Sequence, residues 1–184
     1  DAAARLNRIV VAALLDAGVP AVSLPPSSWL TLDDGEAVEA DLAPLRAALD
    51  HGLLPVVYGD VVVDRRRGWA IASTETVFSA LVSFLPEPPA ELLWLGETQG
   101  ILDQEGRTVD LVTPRSIGRA RTLIGATAGT DVTGGMLLRL DTSYQLAERG
   151  VPSRIIDGRA RAALERVLLG ETVAGTRVTN QVFE

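Results

Sequence analysis

Cysteine and lysine are both absent from the 184 residues. Without cysteine there is no disulfide framework and no thiolate metal site, a composition that fits a reducing cytoplasm, where we expect the protein to reside. Without lysine, every one of the 17 basic residues is arginine, and against 24 acids the formal charge is -7. Such a surface repels polynucleotides and anionic lipid, so neither is expected as a partner, and a phosphate ligand would have to be met by a small local site. Also lacking is any apolar run near the roughly 18 residues that a membrane span requires. The opening "DAAARLNR" has neither the basic start nor the apolar centre of a signal peptide.

What the chain does have is 47% hydrophobic residues, enough for one well-buried domain across residues 1–184. Leu6, Ile9, Val10, Ala13, Leu14 and Ala17 recur at helical spacing and Gly18 supplies a stop, so the sequence opens inside a helix, as a fragment does. "AVSL" reads as a strand, and alternation around "DDG" predicts a hairpin over Trp29 to Val38. Asp41 is placed to cap a helix through Leu42, Leu45 and Leu49 that Gly52 ends. "LLPVVY" is apolar on both faces, the mark of a strand in the middle of a parallel sheet, and stops at Gly59-Asp60. "VVVD-RRRG-WAIA" predicts a second hairpin, whose three arginines read as a solvated tip, and Ser73 can cap the helix that follows. Beyond "EPP" the rhythm resumes: a strand at "ELLWL", an irregular stretch from Ile101 to Gly129, a helix from the "TDVTGGM" turn to Gly150, a strand "SRIID", a helix over Arg159 to Leu169 and a strand "GTRVT". Strands alternating with helices predict a layered α/β architecture.

Chemistry concentrates at "TDVTGGM", Thr130 to Met136, where two glycines stand at a helix entrance with Arg139 one turn further on. Bare backbone at a helix start suits an anion, because the first N–H groups lack partners and the dipole favours negative charge. Arg139 would stand roughly above the same end, which suits a polyphosphate. Taken alone, these residues read better as a structural turn with a surface arginine. Glu75 lies in the first turn of its predicted helix, where a carboxylate stabilises by about 0.3–1 kcal/mol. Asp60 and Asp131 could approach magnesium through water or serve as caps and turns. Trp29, Trp69 and Trp94 read as pocket wall or core, and His51, the sole histidine, as a helix-end residue. No residue is assigned as a direct metal ligand.

The segments "LNRIVVAALLDAGVPAVSL-PPSS", "GLLPVVYGDVVVD", "IASTE", "GETQGIL", "TDVTGGMLLR" and "GTRV", in this order, resemble the amino-acid-kinase superfamily and, within it, the isopentenyl phosphate kinases. The resemblance implies a three-layer α/β/α sandwich with a mostly parallel central sheet, its acceptor-side half at residues 1–85 and its nucleotide-side half at 86–184. It implies ATP and Mg2+, isopentenyl phosphate as the acceptor, and isopentenyl diphosphate as the product. Arg139 and Glu75 then take the catalytic positions. Gly96, Glu97, Thr98, Gly100, Thr130, Asp131, Gly134 and Gly135 border the nucleotide, and Gly59, Asp60, Ser73 and Thr74 border the acceptor. A homodimer is implied by the same analogy. The sequence departs from the family pattern in carrying Arg139 where lysine is usual and Glu75 where aspartate is common. The family's glycine-rich lysine segment and its phosphate-contacting histidine fall before the first residue here. The alternatives are a kinase of another small phosphate, phosphonate or carboxylate, and a nucleotide-binding module of the same fold without catalysis.

Overall fold

A computed structural model describes residues 2–126 and 132–181, with the backbone alone at 126 and 132–134. Contacts divide the chain into two compact units, Asp1–Glu87 and Pro88–Glu184. Both alternate strands with helices, so the α/β class expected from the sequence is the class observed.

In the first unit, α1 (Ala2–Asp16) leads into β1 (Ala21–Ser23), a short 3-10 turn at Pro26–Ser28, and the hairpin of β2 (Leu30–Asp33) and β3 (Glu36–Ala40). The hairpin turn is Asp34-Gly35, both with positive φ (56° and 91°), the mirror-image turn that matches strand twist and that Asp-Gly favours. Next come α2 (Ala43–Asp50), β4 (Leu54–Val56), the hairpin of β5 (Asp60–Asp64) and β6 (Gly68–Ala72), and α3 (Thr74–Phe84). Strands β3-β2-β5-β6 form one sheet, with β2 parallel to β5, and β1 pairs in parallel with β4 in a separate two-stranded sheet. Trp29, Leu30, Leu32, Val62, Ala72 and Val77 are buried together beneath the four-stranded sheet. Complete burial of a side chain such as Leu32 is worth about 1.5–3 kcal/mol.

The second unit comprises β7 (Leu92–Gly96), β8 (Leu111–Val112), α4 (Ile117–Ala126), α5 (Val132–Glu148), β9 (Ser153–Asp157), α6 (Ala163–Leu168) and β10 (Gly175–Val178). Its sheet runs β7-β9-β10-β8, with β7 parallel to β9, β10 parallel to β8, and β9 and β10 antiparallel. Side chains alternate across a strand. Trp94 and Ile155, in register, therefore share one face, where Trp94 reaches α5 through Ser143. Ile156 and Leu93 share the other, where α6 packs through Ala163 and Val167.

Several expectations need correction. "LLPVVY" is not a central strand: β4 stops at Val56 and pairs only with β1 among the described residues. The apolar stripe of α1 is not its buried face, for Leu6 and Ile9 are exposed and the buried residue is Asn7. Asn7 donates to the Val56 carbonyl at 3.2 Å and accepts from Ser23 Oγ at 2.5 Å, so a polar link joins helix and strand. Gly134 and Gly135 lie inside the first turns of α5 instead of preceding it. Helix α6 begins four residues later than Arg159, after Ala162 takes a left-handed conformation at φ 58°. The irregular stretch contains β8 and α4.

Candidate functional site

In the second unit, β7 and β9 are parallel neighbours that end in register at Gly96 and Asp157. Open α/β sheets place ligands at such carboxyl ends. Helix α5 precedes β9 and runs back across the sheet, so its first turns reach the same end. There a cavity of about 350 Å³ is lined by Gly96, Glu97, Thr98, Gly135, Met136 and Arg139. The five of these residues proposed from sequence are thus brought together, Gly96, Glu97 and Thr98 from one segment and Gly135 and Arg139 from another at least 37 positions away along the chain.

Each wall has a physical cause. A Cβ on Gly96 would stand 3.3 Å from Arg139 Nη1, so glycine leaves room for the guanidinium. Among the described residues, a Cβ on Gly135 would meet no atom within 4 Å beyond its own helix backbone. Packing therefore does not require glycine at Gly135, although in a helix it costs roughly 0.5–1 kcal/mol relative to alanine. Arg139 lies over the Trp94 ring at 5.3 Å from its centroid, and its Nε is buried without a hydrogen-bond partner among the described residues. The Gly96–Glu97 loop is pinned from β9: Gly158 N–H donates to the Gly96 carbonyl at 2.9 Å and the Arg159 guanidinium donates to the Glu97 carbonyl. Arg159 is itself held by Asp157 at 3.1 Å, and that contact lowers the Asp157 carboxyl pKa.

Gly100 does not line the cavity. It adopts φ 113°, and a Cβ there would fall 2.4 Å from Thr176 Oγ1, which accepts the Ile101 N–H at 2.7 Å. Thr98 Oγ1 donates to the Gly100 carbonyl at 2.9 Å and closes the same loop. Gly134 stands in the first turn of α5. Thr130 and Asp131 lie outside the described residues.

In the first unit, Gly59, Asp60, Ser73 and Thr74 also meet. A Cβ on Gly59 would lie 3.2 Å from the Ala72 carbonyl and 3.4 Å from Thr74 N, so the chain before β5 presses on the start of α3. Asp60 accepts from Ser27 N at 3.1 Å and from Val61 N at 2.9 Å, which is a turn-forming role. Ser73 caps α3 by accepting from Thr76 N at 3.1 Å. Glu75 sits in the first turn, where backbone amides lack helical partners. Beside Asp60 the Tyr58 hydroxyl is pushed above its usual pKa, first by burial and then by the Asp60 charge, with Arg8 opposing. His51 ends α2, its Nδ1 2.8 Å from the Ala47 carbonyl, as a helix-end residue.

Among the described residues no group of three or more histidine, cysteine, aspartate or glutamate side chains could hold a metal ion, and Asp60 is committed to backbone donors. The described donor set does not fit a resident magnesium, and Asp131, the other candidate, lies outside the described residues.

Sequence reasoning passed over Met136, Arg159 and Arg8. It also left the place of Trp94 open; the structure puts this tryptophan in the core, beneath Arg139. The available signal was spacing: Arg139 and Ser143, one turn apart on α5, address one indole.

An α/β unit with a helix start at the carboxyl end of its parallel strands belongs to the class of folds that bind anionic ligands there, and comparison with known proteins narrows the class. Residues 1–157 match the Amino acid kinase family, and the chain belongs to that family. It is 36% identical to the isopentenyl phosphate kinase of Methanothermobacter thermautotrophicus, covering 96% of this chain and 68% of that protein. Identity to the isopentenyl phosphate kinase of Methanocaldococcus jannaschii is 28%, covering 95% and 64%. A solved isopentenyl phosphate kinase structure superposes with a TM-score of 0.77 at 31% identity, covering 95% of this chain and 66% of that one. The chain thus spans about two thirds of the length of these relatives. No described helix is long and apolar enough to cross a membrane.

Proposed function

We propose that the protein transfers the γ-phosphoryl group of magnesium ATP to isopentenyl phosphate, giving ADP and isopentenyl diphosphate. One observation carries the reading of the nucleotide side: a single cavity gathers Arg139, Gly135 and the Gly96–Thr98 loop at the carboxyl end of a parallel strand pair. The acceptor is drawn from the relatives named above.

Phosphoryl transfer asks a protein for positioning and for neutralisation of developing charge. Arg139 supplies a fixed cation, and the start of α5 supplies amides and the positive end of a helix dipole. Gly134 and Gly135 let backbone approach phosphate oxygens, and Glu97 and Thr98 border the nucleotide. Magnesium enters with the ATP. On the acceptor side, the first turn of α3 offers amides at Thr74 and Glu75 to a phosphate, with Gly59 and Asp60 shaping the adjoining turn. Glu75 orients basic groups around the transferred phosphoryl, and Thr130 and Asp131 belong to the nucleotide edge. The protein works in the cytoplasm, as a homodimer.

The test is ADP release by the full-length protein with isopentenyl phosphate, set against other small phosphates, phosphonates and carboxylates. Preference for isopentenyl phosphate in kcat/KM is expected. Faster turnover of another acceptor would reassign the substrate, and nucleotide binding without ADP release from any acceptor would leave a non-catalytic module.

A further inference from the structure

We propose that Trp94 is a positioning residue for the nucleotide phosphates: its indole is the platform that presents the Arg139 guanidinium to the cavity. This rests on the reading of the cavity as a triphosphate site and names the residue that makes arginine workable there.

A buried cation is ordinarily held by a carboxylate, which neutralises it and occupies its N–H donors. An aromatic face acts differently. It attracts the cation through the ring quadrupole and leaves the donor edge of the guanidinium unoccupied. The observed contact has this form, with the guanidinium carbon 5.3 Å from the Trp94 centroid and Nη1 turned toward Gly96 at the cavity wall. The platform is itself fixed. Trp94 is buried in β7, and its Nε1–H donates to Ser143 Oγ at 2.8 Å. Because Ser143 and Arg139 are one turn apart on α5, the helix that carries the cation also locks the ring beneath it. A planar fork gains from a planar support in a way that a compact ammonium does not. Trp94 and Arg139 therefore form a functional pair.

The pairing is tested on the full-length protein by titrating a non-hydrolysable ATP analogue with magnesium into Trp94→Leu, Trp94→Phe and Ser143→Ala variants. Trp94→Leu is repeated in an Arg139→Gln background. We expect Trp94→Leu to weaken analogue binding about tenfold, Ser143→Ala about threefold, and Trp94→Phe to recover most of the loss. In the Arg139→Gln background the Trp94→Leu effect falls below about twofold, because no guanidinium remains to be held. KM for the acceptor stays unchanged throughout. In NMR spectra the Arg139 δ-methylene protons, shifted upfield by the ring in the wild type, return to ordinary values in Trp94→Leu. The conservative Phe and Ala variants decide the matter if Trp94→Leu fails to fold. Wild-type affinity in folded Trp94→Leu, or an equal loss in the Arg139→Gln background, would reduce Trp94 to a core residue. Analogue binding that depends on Trp94 in a protein that phosphorylates no acceptor would remove the kinase reading and leave the pairing. No binding by the wild type would overturn both.

Discussion

At the scale of single residues, Arg139 and two glycines carry the sharpest expectations. Arg139→Ala should lower turnover at least tenfold, about 1.4 kcal/mol of barrier, while the fold survives; steady-state kinetics beside circular dichroism checks both. Gly135→Ala separates packing from ligand approach. Among the described residues its added Cβ meets no atom beyond its own helix backbone, so the fold should gain up to about 1 kcal/mol of helix propensity, while KM for ATP rises. A variant that is stabilised and binds ATP normally would show that the glycine serves no ligand. Gly100→Ala should instead destabilise, by roughly 1–3 kcal/mol, since both its φ of 113° and the approach of Thr176 forbid a side chain, and a denaturant melt would show it. "TDVTGGM" made Gly135 and Arg139 legible as a pair, because helix periodicity places them on one end. Gly100 read as part of the same loop, but Thr176, which it approaches, lies 76 residues away, and no local pattern announces a contact of that range.

At the scale of elements, Asp64 joins the two hairpins of the first unit. This buried carboxylate accepts from Asp34 N at 3.1 Å, Gly35 N at 2.7 Å, Arg66 N at 2.9 Å and Arg67 N at 2.8 Å. Burial works to raise its pKa, but these four backbone donors outweigh it and hold the value at about 2 instead of 3.8. A depressed carboxylate pKa means that the folded state binds the proton later than the unfolded chain does. The stabilisation is therefore complete above about pH 4 and is lost as pH falls toward 2. Acid titration followed by circular dichroism should show that limb in the wild type and a flatter one in Asp64→Asn, which should also melt at a lower temperature at neutral pH. Both hairpins were legible from alternation and turn chemistry, "DDG" most directly. The carboxylate that ties them was not, because Asp64 reads as a strand-end acid until β2 is seen beside β5. The arginines Arg65, Arg66 and Arg67 find Glu39, Asp33 and Asp34 at 2.6–2.9 Å across the same junction. As exposed pairs they add little. Strand β8, two residues long, and helix α4 escaped notice because neither presents a sustained apolar period.

At the scale of the whole molecule, the proposed division of labour predicts that substitutions sort by unit. Changes at Arg139 or Glu97 should alter affinity for ATP and spare KM for the acceptor, whereas Glu75→Gln or Thr74→Val should do the reverse. Equilibrium dialysis of nucleotide alongside initial-rate kinetics distinguishes the two patterns, and a Glu75→Gln variant with wild-type rates would leave that residue as a helix-start acid only. The alternation of strands and helices made the fold class legible. Strand order was not, because pairing partners are chosen by long-range burial. Strand β10 is the clearest case: it inserts between β9 and β8, and its Thr176 hydroxyl receives the Ile101 amide. During synthesis, then, the ribosome must release the chain past residue 176 before the Thr98–Ile101 loop can settle. The cavity beside this loop is consequently completed only after residue 176 has been made, and a ligand bound there cannot serve as a template for the steps before it.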